Sequence, residues 1–168
     1  MLDNWEDKMT IFFTIPLIPT AQMRARHRAI KTKAGHTIAT TYTPAKQRRE
    51  ADQLMQLIAQ YAPEIPMTGA VEFSMTAYFA VPKSWPAWKR DAALAGDILH
   101  TKKPDIDNLQ KHIKDCMTKT GYWNDDCQVS DCKDLKKRYA IKPGWEITIT
   151  EIPQPRTRKN LEANNDTL

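Results

Sequence analysis

Four aspartates carry the chemistry this chain could do. Asp105 and Asp107 lie one residue apart in His100-Thr101-Lys102-Lys103-Pro104-Asp105-Ile106-Asp107-Asn108-Leu109-Gln110-Lys111, and Asp125 and Asp126 are adjacent in Trp123-Asn124-Asp125-Asp126-Cys127-Gln128. Carboxylates held side by side repel unless something positive compensates them. A divalent cation does so, and carboxylates with water are the ligand set that Mg²⁺ prefers, with Mn²⁺ a possible substitute. If the second pair folds back against the first, three or four carboxylates meet. An ion there could polarise a phosphoryl oxygen and activate water for in-line attack. Lys111, one helical turn beyond Asp107, is placed to stabilise charge developing on a phosphate. Two plainer readings compete. A helix N-terminus favours aspartate through its dipole, which accounts for one of the four but not all of them. An Asp-x-Asp pair also marks transferases that hold a metal-diphosphate.

The elements that must position these residues are legible as periodicities. Val71, Phe73, Met75, Ala77, Phe79 and Val81 alternate with polar residues, the two-residue period of a half-buried strand. Trp145, Ile147 and Ile149 alternate in the same way, and Ile11 to Ile15 is a β-prone run stopped by Pro16. Gln128 to Tyr139 reads as a more polar strand. A first helix opens with Thr43 as its cap and Pro44 at its first position, and it carries Ala51, Leu54, Met55, Ile58 and Tyr61 at helical spacing. A second opens at Ser84 and Pro86 and closes at Gly96. The third spans Asp107 to Thr118, with Ile106, Leu109, Ile113, Cys116 and Met117 on one face and Asp107, Lys111, Lys114 and Thr118 on another. Pro104 disfavours helix before it, so Asp105 and Asp107 straddle the helix entry. The order predicts an α+β (mixed α/β) fold in which helices pack on a mixed β-sheet. Pro16 to Thr43 reads as one long loop of the kind that often carries function. Residues 1–152 form one domain in this reading, and residues 153–168 a flexible tail.

With 168 residues, 41% of them hydrophobic and 27% charged, the chain has ordinary globular composition, which argues against wholesale disorder. Lys and Arg number 25 against 20 acids, a net charge of +5, and this excess points to a polyanionic partner, nucleic acid first. It is concentrated: Arg24, Arg26, Arg28, Lys31, Lys33, Lys46, Arg48 and Arg49 follow one another with no intervening acid. A one-signed segment of this kind neutralises phosphates and releases their counterions. The same segment also fits a solvated basic loop. Three cysteines argue against a disulfide framework, and no stretch is apolar over the ~18 residues a spanning helix needs. The acidic start lacks the order of a signal peptide, so the expectation is a cytoplasmic protein without membrane attachment.

On these residues the chain resembles the RusA-type Holliday junction resolvases. The resemblance runs from about Ile11 to Ile152. It takes in Phe13-Thr-Ile-Pro16 with the basic segment after it, Val81-Pro-Lys-Ser-Trp85, and Lys89-Arg90. Beyond these come His100 to Leu109 with Lys111, Trp123-Asn-Asp-Asp126 with Gln128-Val129, Lys137-Arg-Tyr139, and the Pro143-Gly144 turn. What the resemblance implies is a homodimeric, Mg²⁺-dependent endonuclease that cuts four-way DNA junctions by two symmetric incisions. Its catalytic, metal-binding carboxylates fall on Asp105, Asp107 and Asp126, and its active-site lysine on Lys111. DNA contacts are expected from Arg24, Arg26, Arg28, Lys31, Lys33, Lys102 and Lys103. The chain departs from the family pattern at Leu17, where glycine usually follows the proline, and at Cys127 and Cys132, where no cysteine is expected.

A rival reading uses His112, Cys116, Cys127 and Cys132 as a structural zinc site in a non-catalytic module that binds branched DNA. Its spacing fits no compact zinc pattern, and buried thiols are the simpler account. His27, His36 and His100 read as solvated or phosphate-facing. Trp85 and Trp88, flanked by Lys83, Lys89 and Arg90, are the aromatic pair best placed to meet DNA.

Overall fold

The alternation in Val71-Glu-Phe-Ser-Met-Thr-Ala predicts a strand with one apolar face, and these residues form one of the two interior strands of a four-stranded sheet. The computed structural model describes residues 9–21, 26–31, 35–42 and 44–152. In chain order its elements are β1 (Thr10–Ile15), β2 (Arg26–Lys31), β3 (Thr37–Tyr42), α1 (Ala45–Ile58), β4 (Ala70–Ala80), α2 (Ala87–Ala95), α3 (Ile106–Lys119), β5 (Val129–Ala140) and β6 (Gly144–Ile152). Short 3-10 turns occupy Ala59–Tyr61 and Asp126–Gln128.

The main sheet has the order β1-β6-β4-β5, with β4 parallel to β5 and both other pairings antiparallel. A parallel pair needs a long crossover, and α2 and α3 supply it between β4 and β5. The expected mixed sheet with helices packed on it is therefore present. One face of that sheet is the core. Phe13 and Ile15 of β1, Val71, Phe73, Met75 and Ala77 of β4, and Trp145, Ile147 and Ile149 of β6 are buried against Leu54 and Ile58 of α1 and Leu109, Ile113, Cys116 and Met117 of α3. The other face carries Glu72, Ser74, Thr76, Glu146, Thr148 and Thr150, all half-buried. The polar look of β5 follows from its place at the sheet edge, where most of its first half is exposed. Gly144 starts β6 against the end of β1, where a Cβ would lie 3.0 Å from the Ile15 carbonyl oxygen, so only glycine fits without displacing backbone.

Three boundaries differ from the sequence expectation. Pro44 occupies the N-cap of α1, not its first helical position, while Thr43 lies outside the described residues. Pro86 likewise caps α2, which ends as expected on Gly96 in the left-handed region at φ 93°. In both cases the proline is extended, at ψ 141° and 155°, and hands the first helical φ to the next residue. The third helix starts at Ile106, so Asp105 is its N-cap.

The supposed long loop from Pro16 to Thr43 is a larger correction. It contains β2 and β3, an antiparallel two-stranded sheet with Arg26 paired to Tyr42 and Lys31 to Thr37. Its described apolar side chains are exposed, among them Ile30 and Ile38, so it lacks the buried alternation that marks a strand in sequence. The Thr37-Ile-Ala-Thr-Thr-Tyr42 run after Gly35 is the β-prone signal that marks it. Residues 153–168, read as a tail, lie outside the described residues.

Candidate active site

Asp105 stands at the N-cap of α3 in extended conformation, yet its side chain makes no capping hydrogen bond. Its main-chain carbonyl accepts from the Leu109 amide at 3.1 Å, so the backbone starts the helix and the carboxylate is left exposed. Asp107 is exposed in the first turn, and Lys111 is exposed one turn further on. The opposite face of the helix is locked into the core by Leu109, Ile113 and Met117. Amphipathicity thus fixes how α3 is rotated and leaves the acidic positions outside.

The loop before the helix is tied at two points. His100 is buried, contrary to the solvated reading. Its ring stacks on Phe79 at 3.9 Å between centroids and lies 5.1 Å from Tyr139. Burial, and then the nearby Lys137 ammonium, hold its pKa below the ordinary histidine value. Trp85 meets the same Tyr139 edge-on at 5.2 Å and carries the Lys89 ammonium over its ring, so it is a packing residue. Trp88 is the exposed member of that pair. The second tie is Lys137 of β5, whose Nζ donates to the carbonyl oxygens of Lys102 at 2.8 Å and Pro104 at 2.9 Å. Lys102 and Lys103 themselves are exposed.

The second acidic pair divides its labour. Asp125 caps the Asp126–Gln128 turn, accepting from the Cys127 amide at 2.9 Å, while the Gln128 side-chain oxygen accepts from the amides of Asn124 and Asp125. Hydrogen bonds from Cys127 hold the Asp125 carboxyl below the usual range. The Gln128 amide nitrogen donates to the carbonyls of Met67 and Gly69, which fastens the turn to the segment before β4. Just upstream, buried Trp123 donates its indole N–H to Thr118 at 2.7 Å. Asp126, half-buried, takes no part in the cap.

Cys132 of β5 accepts from Gln110 in the second turn of α3, and Lys137 reaches the loop before that helix, so β5 runs back along α3 towards its start. Trp123 meets the helix at Thr118. The Asp126–Gln128 turn packs against α3 between these contacts. Among the described residues no three His, Cys, Asp or Glu side chains are grouped closely enough to hold a metal ion.

The zinc reading fails on burial as well as on spacing. His112 and Cys116 face the core while Cys127 and Cys132 are exposed, so the four cannot share an ion, and only Cys116 fits the buried-thiol account. Of the expected DNA contacts, Lys31 is exposed on β2, and His36 is exposed nearby. Arg26 and Arg28 lie on β2, whereas Arg24 and Lys33 fall outside the described residues.

Fold and site together define a basic mixed α/β protein with two exposed aspartates at the entry of a core-anchored helix. The model of the endodeoxyribonuclease RusA family matches residues 16–150, and the chain belongs to that family. A Bacillus subtilis protein, YqaN, is 33% identical over 144 residues, covering 84% of this chain and 96% of its own length. A Lactococcus phage r1t protein named crossover junction endodeoxyribonuclease is 36% identical over 84 residues, 49% of this chain and 55% of the relative. The Escherichia coli K12 protein of the same name is 43% identical over 51 residues, 30% of this chain and 42% of the relative. Matches to these two named endonucleases therefore span little more than half of the relatives' length at most. Among the described residues no helix is long and apolar enough to cross a membrane.

Proposed function

We propose that this chain is a Mg²⁺-dependent endonuclease that resolves four-way DNA junctions by paired symmetric cuts, acting as a homodimer. The observation that carries the proposal is the start of α3. An N-cap aspartate makes no cap bond, a second aspartate lies in the first turn, and a lysine follows one turn on, all facing solvent from a helix anchored in the core.

The donor chemistry fits the ion. Mg²⁺ is commonly seated by one or two carboxylates with waters and substrate phosphate completing its shell, so Asp105 and Asp107 would suffice to hold it, and Asp126 would be a further oxygen donor. When bound, such an ion polarises the scissile phosphate and lowers the pKa of water beside it. The chain's own residues do the rest. Lys111 balances charge growing on the phosphate oxygens. Arg24, Arg26, Arg28, Lys31, Lys33, Lys102 and Lys103 hold the flanking phosphates and set the salt dependence of binding. Two related strands to cut and one site per chain call for a twofold partner. The nuclease unit runs over residues 1–152, with 153–168 as a tail, in the cytoplasm with the DNA.

A synthetic four-way junction with Mg²⁺ tests this reading. The wild type should leave paired nicks, and Asp107→Asn should lower the cutting rate by about 10²–10³-fold while junction binding survives. A wild type that binds junctions but never cuts them with Mg²⁺ or Mn²⁺ would make the protein a binding module.

A further inference from the structure

We infer that Lys137 is a positioning residue that holds Asp105 and Asp107 in register for the metal; this rests on the metal-dependent reading above. Its ammonium donates to the carbonyls of Lys102 and Pro104, the second of which belongs to the peptide that leads into Asp105. Both ends of the three-residue arc before the helix cap are thereby fixed to a strand of the main sheet.

Three observations separate this strap from an ordinary surface lysine. Its neighbours on β5, Lys133 and Lys136, pair with Glu72 and Asp134, whereas Lys137 pairs with no described carboxylate and directs its charge at two peptide oxygens. Its strand position is one that packing would give to an apolar side chain. Leu135 and Tyr139, two residues either way, register with core-facing Met75 and Phe79, and Lys137 registers with Ala77. Ala77 is the smallest inward residue of β4, so the lysine stem has room to cross the strand beneath the loop. The far end of the loop is already fixed by the His100 stack on Phe79 and Tyr139, leaving the Lys102–Asp105 end dependent on the strap.

Without the strap, the α3 cap and its exposed acids move relative to bound phosphate, and displacements of about 1 Å at a reacting centre can cost roughly 10²-fold in rate. The test uses the full chain as wild type, Lys137→Met and Lys137→Arg. Mn²⁺ binding is read by electron paramagnetic resonance without DNA, and the loop is read by tryptic nicking between Lys102 and Lys103. In Lys137→Met, Mn²⁺ binding should weaken and nicking should accelerate while other tryptic sites keep their wild-type rates. Junction cutting should fall by about 10–100-fold with junction affinity unchanged. Lys137→Arg should recover much of each, because a guanidinium can still donate to two carbonyls. Wild-type Mn²⁺ binding and nicking in Lys137→Met would overturn the assignment, even if cutting fell. Should the methionine variant fail to fold, Lys137→Gln, which keeps one donor group, carries the same expectations at smaller size. A wild type that binds no Mn²⁺ and cuts no junction would remove the parent reading, and unchanged nicking would then reject the strap independently.

Discussion

At Asp125–Gln128 the restraints on the acidic pair are made by side chains of the turn itself. Asp125 and Gln128 cap the same short turn, and Gln128 fastens it to Met67 and Gly69. At Lys102–Asp107 the restraint is supplied by a side chain from outside the segment. Here Lys137, on the edge strand, holds the two carbonyls before the cap, and Asp105 itself makes no side-chain cap bond. One segment thus spends an aspartate on its own shape and leaves its neighbour Asp126 for other work. The other spends neither aspartate side chain on its helix cap and takes its restraint from a cation on β5. A carboxylate cannot serve a cap and a cation equally well, so under the proposed function the contrast would give Asp125 to the turn and leave Asp105, Asp107 and Asp126 for the ion.

The sharpest way to break that sorting is to make the same small change in adjacent residues. Asp126→Asn should lower junction cutting by about 10²–10³-fold, because in the proposed function it removes a charged oxygen donor to the ion. Asp125→Asn should leave cutting and folding close to wild type, because asparagine ranks beside aspartate as an N-cap and its side-chain oxygen still accepts from Cys127. Rates measured on one labelled junction decide it. Equal losses in the two variants would mean that Asp125 is no mere cap.

Gln128 comes next in size. Gln128→Ala deletes two accepted and two donated hydrogen bonds at a half-buried position, a loss of about 2–4 kcal/mol in unfolding free energy. Denaturant titration measures it. Cutting should fall with it, since Asp126 follows the turn, whereas tryptic nicking after Lys102 should stay as it was. Faster nicking in this variant would show that the two segments are one unit and not two.

The same division decided what could be read from the sequence. β4, β6, β1 and the buried face of α3 followed from apolar periodicity, because each presents one face to a common core. The turn at Asp125 carried a local signal in its Asp-x-x-Gln spacing, the pattern of a capping box, which a search for metal ligands passes over. No local signal marks Lys137. Its role depends on a parallel pairing between β4 and β5 and on a crossover that returns the Pro104 loop to the strand edge. From sequence His100 reads as solvated or phosphate-facing for a related reason, since Phe79 and Tyr139 reach it only through the sheet. The β2–β3 hairpin escaped because its apolar residues are exposed and leave no periodic trace.

Acid gives the mildest separation of the two segments. His100 has a pKa below the ordinary 6.5 because it is buried, with Lys137 adding to the effect. The unfolded chain therefore takes up this proton at a higher pH than the folded one. Its contribution to stability is complete above about pH 6.5 and is lost as pH falls from there towards the folded pKa. His112, buried in α3 with Asp115, Lys119 and Glu50 around it, is shifted the same way by burial and adds to the slope. Asp125 is lowered from 3.8 by its bonds from Cys127, so its contribution persists above that value and is lost only as pH falls through its lowered pKa. The Lys102–Asp107 loop should accordingly loosen between about pH 7 and pH 5, while the Asp125–Gln128 turn holds. Hydrogen exchange, corrected for intrinsic rates and compared at these two pH values, should show protection falling around Asp105 and Ile106 and unchanged at Cys127 and Gln128. His100→Phe keeps the stack on Phe79 without a titrating ring and should abolish most of the difference at the loop. Parallel loss of protection in both segments would instead assign the acid response to the shared helix, through His112.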